Sequence, residues 1–152
     1  MLQPRAVDRP YVKDYDALPG EHPQDWAARF APGWGFFAAR GRGERVGGAT
    51  VALGAHEAAL LDGRDDLALL WDIRVAPEAR GQGIGAGLFA AAETWARERG
   101  CRRLKVETQN INVPACRFYA RQGCVLGAID RLAYPALPDE VQLAWYKDLA
   151  AG

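Results

Sequence analysis

Residues 67–88 read LALLWDIRVAPEARGQGIGAGL, an apolar alternation that runs into glycines at 81, 83, 85 and 87. The first half predicts a strand. Leu67, Leu69, Trp71, Ile73 and Val75 recur at period two on one face, and Leu70 adds apolar character to the other, as in a strand buried on both sides. The second half predicts a helix from about Ile84 to Arg99, with Ile84, Leu88, Ala92 and Trp95 on one face and Phe89 beside them. Arg97 and Arg99 fall in its last turn, and Gly100 stands where a C-terminal glycine belongs. Glycine costs about 1 kcal/mol relative to alanine inside a helix. Placing it repeatedly where a helix begins therefore needs a reason. Either the backbone packs closely there, or its amides stay open to a ligand.

The flanking segments extend the pattern. GFFAARGRGERVGGATVAL, residues 35–53, reads as two strands joined by a glycine-containing turn. CRRLKVE, residues 101–107, is a second alternating strand, with Leu104 and Val106 on one face and Lys105 and Glu107 on the other. TQNINV links it to a short helix opened by Pro114 and closed by Gly123. CVLGAID and VQLAWYKDL supply two last strands around a proline-containing loop, and the C-terminal one offers a natural edge for a homodimer. The order hairpin, strand, helix, strand, helix, two strands predicts an α/β fold with one mixed sheet in a single domain, residues 1–152. The first 34 residues are rich in proline and aromatics and read as ordered loop, with one short helix at PQDWAARF, residues 23–30.

Composition sets outer bounds. The chain has 152 residues, 49% of them hydrophobic and 25% charged, so one domain with a proper core is expected. Lysine plus arginine and aspartate plus glutamate both number 19, which argues against nucleic acid or an anionic membrane as partner. No run approaches the roughly 20 apolar residues that span a bilayer, and the N-terminus lacks the apolar core of a secretory signal. A soluble, cytoplasmic protein is expected. Cys101, Cys116 and Cys124 form no C-x-x-C pair, so neither a disulfide framework nor a zinc site is indicated. His22 and His56 lack a partnering cluster, and no metal is expected.

A strand ending in a glycine turn at a helix start leaves the first helical amides unsatisfied. With the helix dipole they form an anion site suited to phosphate, and Arg80 adds charge at its mouth. A P-loop would need lysine and a hydroxyl residue after the last glycine, and neither is present. The dinucleotide pattern G-x-G-x-x-G fails because residue 86 is alanine. R-x-x-G-x-G from Arg80 to Gly85 is a different pattern. The plain alternative is a tight turn whose glycines serve only packing.

RGQGIG at this place resembles the acyl-CoA pyrophosphate loop of the GNAT family of N-acetyltransferases. NINVPACRFYARQGCV, residues 110–125, resembles that family's second motif, N-x-x-A-x-x-[LF]-Y-x-x-x-G-F. Asn112, Ala115, Phe118, Tyr119 and Gly123 match it, and Cys124 stands where phenylalanine is usual. The wording around VETQNINVPACRFYARQG, with AYP and AWYKDL after it, looks most like the streptothricin acetyltransferases. The first segment departs from the family, since it does not read as the usual pair of helices that shapes the acceptor side.

The resemblance implies acetyl-CoA as co-substrate and direct attack by a primary amine, such as the β-lysine amine of streptothricin. It implies backbone contacts to the pantetheine arm from Ile73 and Val75 where strands part, and a pyrophosphate held by Arg80, Gly81, Gln82, Gly83, Ile84 and Gly85. Asn112, Ala115 and Phe118 join the cofactor side, although Asn112 equally suits the cap of its helix. Tyr119 takes the place of the family's general acid, its alternative being an ordinary core aromatic. Neighbouring helical residues diverge by about 100°, so Phe118 is expected to face the core and Tyr119 a cleft. Glu107 stands five residues before Asn112, as the base does in related ribosomal-protein N-acetyltransferases. Asp72 is its rival, with a cationic substrate or Arg74 as its other possible partners. Beside catalysis on this or another small or protein amine, an acyl-CoA-binding module without catalysis stays open.

Overall fold

The computed structural model describes residues 33–53 and 64–149, with the isolated positions 3, 6 and 13. The expected helix at 23–30, both histidines and most of the 1–34 segment lie outside the described residues. Those from Gly33 onward belong to one compact unit. Its strands are β1 (Gly35–Gly41), β2 (Glu44–Leu53), β3 (Leu67–Val75), β4 (Arg103–Gln109), β5 (Val125–Asp130) and β6 (Gln142–Asp148). Its helices are α1 (Ile84–Glu98) and α2 (Val113–Arg121), and a single 3-10 turn, Pro77–Ala79, precedes α1. The strands form one mixed sheet in the order β1-β2-β3-β4-β6-β5, so the α/β expectation holds.

Two antiparallel halves meet at one parallel pair. β1 and β2 form the expected hairpin around Arg42–Gly43, both at positive φ, and β2 continues antiparallel to β3. β3 passes through α1 to β4, which lies parallel to it. α1 ends as the sequence predicts: the Cys101 N–H reaches the Ala96 carbonyl at 3.0 Å and the Gly100 N–H that of Arg97 at 2.9 Å. β4 runs on through Thr108 and Gln109, which the sequence assigns to a linker. The larger correction concerns β6. It pairs antiparallel with both β4 and β5 and is therefore interior, so it cannot offer a dimer edge. Among the described strands the outermost are β1 and β5.

The main core lies on the helix side of the sheet. Val51, Ala68, Leu70, Leu104 and Val106 from the strands meet Leu88, Phe89, Ala92 and Ala96 of α1 and Tyr119 of α2. Ala52, Leu67 and Leu69 form a smaller cluster on the other face, with Trp34, Trp71 and Tyr146 against it. The single face expected for residues 67–75 is therefore wrong. Leu67, Leu69 and Trp71 share one side, whereas Ile73 and Val75 pack on the main core. The cause is a bulge: Val51 pairs with Leu70 and Thr50 with Asp72, leaving Trp71 unopposed. One extra residue on one strand reverses the phase of everything after it.

Phe89 ties both helices to this core. It is 1% exposed, and its ring centroid lies 6.1 Å from that of Phe118 and 6.2 Å from that of Tyr119. Phe89→Ala should cost about 3–5 kcal/mol of stability, the usual range for truncating a buried phenylalanine. Urea denaturation of the two proteins side by side tests this.

Candidate active site

β3 and β4 pair only over Leu67–Leu70 and Arg103–Val106. Beyond that point β3 keeps its partner β2 through Val75, and β4 keeps β6 through Gln109. Their facing edges bear no rungs to each other, so the sheet opens into a slit. Along each wall lie backbone N–H and C=O groups that another extended chain could use.

The phase of each strand decides which side chains border the slit on which face. Asp72 and Arg74 lie on the face away from the helices, across from Thr50 and Gly48. On β4 Glu107 and Gln109 take that same face, while Thr108 points to the helix side, where it accepts from the Trp145 indole at 2.9 Å. The Thr108 hydroxyl also lies 3.6 Å from the Cys116 thiol of α2. Tyr119 lies in the core on the helix side, near enough to Asp72 for that carboxylate to act on its hydroxyl.

The glycines at the mouth have separate causes. Gly81 and Gly83 sit at φ of +74° and +82°, a left-handed conformation that costs other residues about 1–2 kcal/mol. A β-carbon at either would meet open space, which is room for a ligand. Gly85 has a packing cause, since a β-carbon there would lie 3.3 Å from the Phe118 ring. Gly87 has neither. The first helical bond runs from the Gly87 N–H to the Gly83 carbonyl at 3.0 Å, so the Ile84, Gly85 and Ala86 amides precede any carbonyl partner. Three outward N–H groups at the positive end of a 15-residue helix suit a diphosphate. The arginine and glutamine of the loop serve its shape. Arg80 donates to the Val75 carbonyl at 3.1 Å and Gln82 to that of Glu78 at 3.5 Å.

Tyr119 and Phe118 exchange the roles expected of them. Tyr119 is 6% exposed and Phe118 only half-buried, lying against Gly85 and Val75. Among the described residues the Tyr119 hydroxyl has no hydrogen-bond partner, yet no sealed side-chain polar atom there lacks one. The hydroxyl therefore reaches solvent from a buried ring. Burial raises its pKa above the ordinary tyrosine value, and the Asp72 carboxylate raises it further. Tyr119 thus holds its proton throughout the neutral range.

The other candidates are engaged locally. Asn112 accepts from the Ala115 N–H at 3.2 Å, the capping role, so that amide is not open to a ligand. Asp72 accepts from Arg74 Nε at 2.8 Å, the partner the sequence offered. Glu107 accepts on Oε1 from the Tyr134 hydroxyl and from Gln109 Nε2 at 3.5 Å. Tyr134 escapes a reading of the sequence because it lies 27 residues from Glu107, in the loop between β5 and β6. Its only signal is the AYP wording around it. Cys101 and Cys124 are buried, and burial pushes the Cys124 thiol up to about 11. Cys116 is half-buried. Among the described residues no group of three or more His, Cys, Asp or Glu side chains could hold a metal, and no helix is long and apolar enough to cross a membrane. A separate cavity of about 650 Å³, lined by Arg64, Asp66, Arg102, Arg103 and Asp148 among others, opens at the opposite end of β3 and β4, away from these groups.

Comparison with known proteins bears on this geometry. The sequence profile of the acetyltransferase (GNAT) family matches residues 5–124. Streptothricin acetyltransferase of Streptomyces lavendulae is 33% identical over 149 residues, covering 97% of this chain and 75% of that protein. Streptothricin acetyltransferase A of Bacillus subtilis (strain 168) is 41% identical over 81 residues, 52% of this chain and 47% of that protein. The chain thus spans about half the length of the Bacillus relative that it matches. A Bacillus anthracis str. Ames protein crystallised in complex with acetyl coenzyme A superposes with a TM-score of 0.68 at 32% identity, over 78% of this chain and 64% of that one.

The glycines separate cleanly by substitution. Gly83→Ala should lose about 1–2 kcal/mol of stability through its left-handed φ and weaken anion binding at the loop. Gly87→Ala should gain about 0.5–1 kcal/mol, because alanine is the better helix former. Thermal melts with and without acetyl-CoA read both effects.

Proposed function

The chain belongs to the acetyltransferase (GNAT) family, and on that premise we propose that it transfers the acetyl group of acetyl-CoA to a primary amine. The acceptor we propose is the β-lysine amine of streptothricin. The parting of β3 from β4 beyond Leu70 and Val106 is the observation that carries this reading. It gives an extended arm two strand edges to lie along, with free helical amides at one end and a phenol on the helix face.

The residues divide the work by position. The turn from Arg80 to Gly85 holds the pyrophosphate on the Ile84, Gly85 and Ala86 amides. Ile73 and Val75 offer backbone groups to the pantetheine, and Phe118 covers the arm beside Gly85. Glu107 takes a proton from the acceptor ammonium, directly or through a water, because an amine with a lysine-like pKa near 10.4 is mostly protonated at neutral pH. The amine nitrogen then bonds to the acetyl carbon, and the carbon–sulfur bond breaks with its electron pair on sulfur. The Tyr119 hydroxyl donates a hydrogen bond to that charge as it forms, and the second proton shed by the nitrogen neutralises the thiolate. Asp72, tied to Arg74, adds negative charge on the acceptor face, where a cationic substrate gains from it. Residues 1–34 are proposed as the acceptor-side segment of one domain over 1–152. A cytoplasmic enzyme is proposed, without nucleic acid or membrane as partner. Any homodimer would pair through β1 or β5.

Thiol release from acetyl-CoA against streptothricin, polyamines, aminoglycosides, amino acids and short peptides tests the acceptor. Turnover should be greatest with streptothricin. Tyr119→Phe should lower kcat about 100-fold, within the range for loss of one preorganised hydrogen-bond donor to developing charge. Turnover of another amine alone would discard streptothricin and keep the chemistry. Binding of acetyl-CoA with no turnover of any amine would favour a non-catalytic module.

The raised pKa of Tyr119 sets a further expectation. A phenol held above about 10 keeps its proton through the working range, so its ionisation should cause no fall in kcat below that pH. A Tyr119-dependent alkaline loss near pH 8 would contradict the burial seen here.

A further inference from the structure

Tyr134 lies half-buried in the loop between β5 and β6, and its hydroxyl donates to Glu107 Oε1. Gln109, on the same face of β4, donates its Nε2 to the Tyr134 hydroxyl at 3.1 Å and to that same Glu107 oxygen at 3.5 Å. Both donors to Glu107 thus converge on one carboxylate oxygen. No described donor reaches Oε2.

The loop is fastened in a way that delivers Tyr134 to this point. At its start the Leu132 N–H bonds to Asp130 Oδ1 at 2.8 Å. Within it the Leu137 N–H reaches the Tyr134 carbonyl, and the Glu140 N–H that of Leu137, each at 2.9 Å. At its end Asn110 both donates to the Val141 carbonyl at 2.9 Å and accepts the Val141 N–H on its side chain at 2.7 Å. Removing the Tyr134 hydroxyl therefore leaves the loop anchored at both ends.

We propose that Tyr134 is a positioning residue for acetyl transfer: with Gln109 it fixes Glu107 Oε1 and leaves Oε2 as the oxygen presented to the acceptor amine. The proposal rests on Glu107 acting as the base. A glutamate side chain has several rotatable bonds, and a base acts only within hydrogen-bond reach of its proton. Holding one oxygen by two donors confines the other to a narrow arc. The phenol suits this task because it keeps its proton: burial and the bond to Glu107 both raise its pKa. It donates and does not compete for the amine's proton.

The test is a double-mutant cycle on the whole chain, using acetyl-CoA and whichever amine of the panel is turned over fastest. Tyr134→Phe should lower kcat about tenfold, the worth of one charge-assisted hydrogen bond, with the KM for acetyl-CoA unchanged. In the Glu107→Gln background the same change should move kcat by less than about twofold, because Tyr134 then has no carboxylate to hold. Equal losses in both backgrounds would make Tyr134 a strap for its loop and overturn the proposal. An impaired Glu107→Gln beside a fully active Tyr134→Phe would remove the clamp and keep the base. A fully active Glu107→Gln would remove both. Should Tyr134→Phe fail to fold, Gln109→Ala removes the other donor while leaving every loop anchor in place. It should show the same background dependence with a smaller loss, and equal losses in both backgrounds would again overturn the clamp.

Discussion

Everything in the site follows from where one parallel ladder stops. β3 and β4 hold four paired positions and then part, while each keeps its antiparallel partner on the outer side. Opening a sheet interior is costly if backbone groups on both edges lose their bonds. Here only the inner edges go unpaired, and solvent or an extended ligand can satisfy them. The bulge at Trp71 falls at the same point. It turns Ile73 and Val75 toward the helices, where they pack on the main core, and leaves Asp72 and Arg74 on the opposite face. One irregularity thus separates an apolar wall from a charged one.

That separation orders the chemistry. Tyr119 comes from α2 on the helix side, whereas Glu107 and Asp72 sit on strands and face away from it. In the proposed reaction, a proton acceptor on one face and a hydrogen-bond donor on the other would suit attack from one side of a thioester and departure toward the other. The pairing of Phe89 with Phe118 and Tyr119 keeps both helices in step with the strands. The position of the donor is therefore a property of the core.

The strands and helices were legible because each carries a clean period and a capping residue. The bulge was not. Both phases of LALLWDIRV are apolar at the positions that matter, so a perfect alternation at 67, 69, 71, 73 and 75 concealed a reversal after Trp71. The exchange of Phe118 and Tyr119 was hidden similarly, because two adjacent aromatics on a helix state an angle between them but not which one the core takes. β6 reads as a terminal edge because it ends the chain, yet chain order does not set sheet order when β5 folds back outside it. Glu107 was singled out through its spacing from Asn112. Tyr134 was not, since its link to Glu107 exists only once the loop between β5 and β6 has closed over β4.

The environment of Tyr119 also limits what it can do. A thiol has an ordinary pKa near 8.5 and a phenol near 10, and burial makes Tyr119 a weaker acid still. Complete proton transfer from it to a thiolate is therefore uphill. What a phenol with a buried ring and an otherwise unbonded hydroxyl does well is donate a hydrogen bond to charge as it forms. The proton that finally neutralises the sulfur is better drawn from the amine side, whose nitrogen sheds protons as it becomes an amide. On the proposed reading, burial suits Tyr119 to steady charge on the sulfur while keeping its own proton.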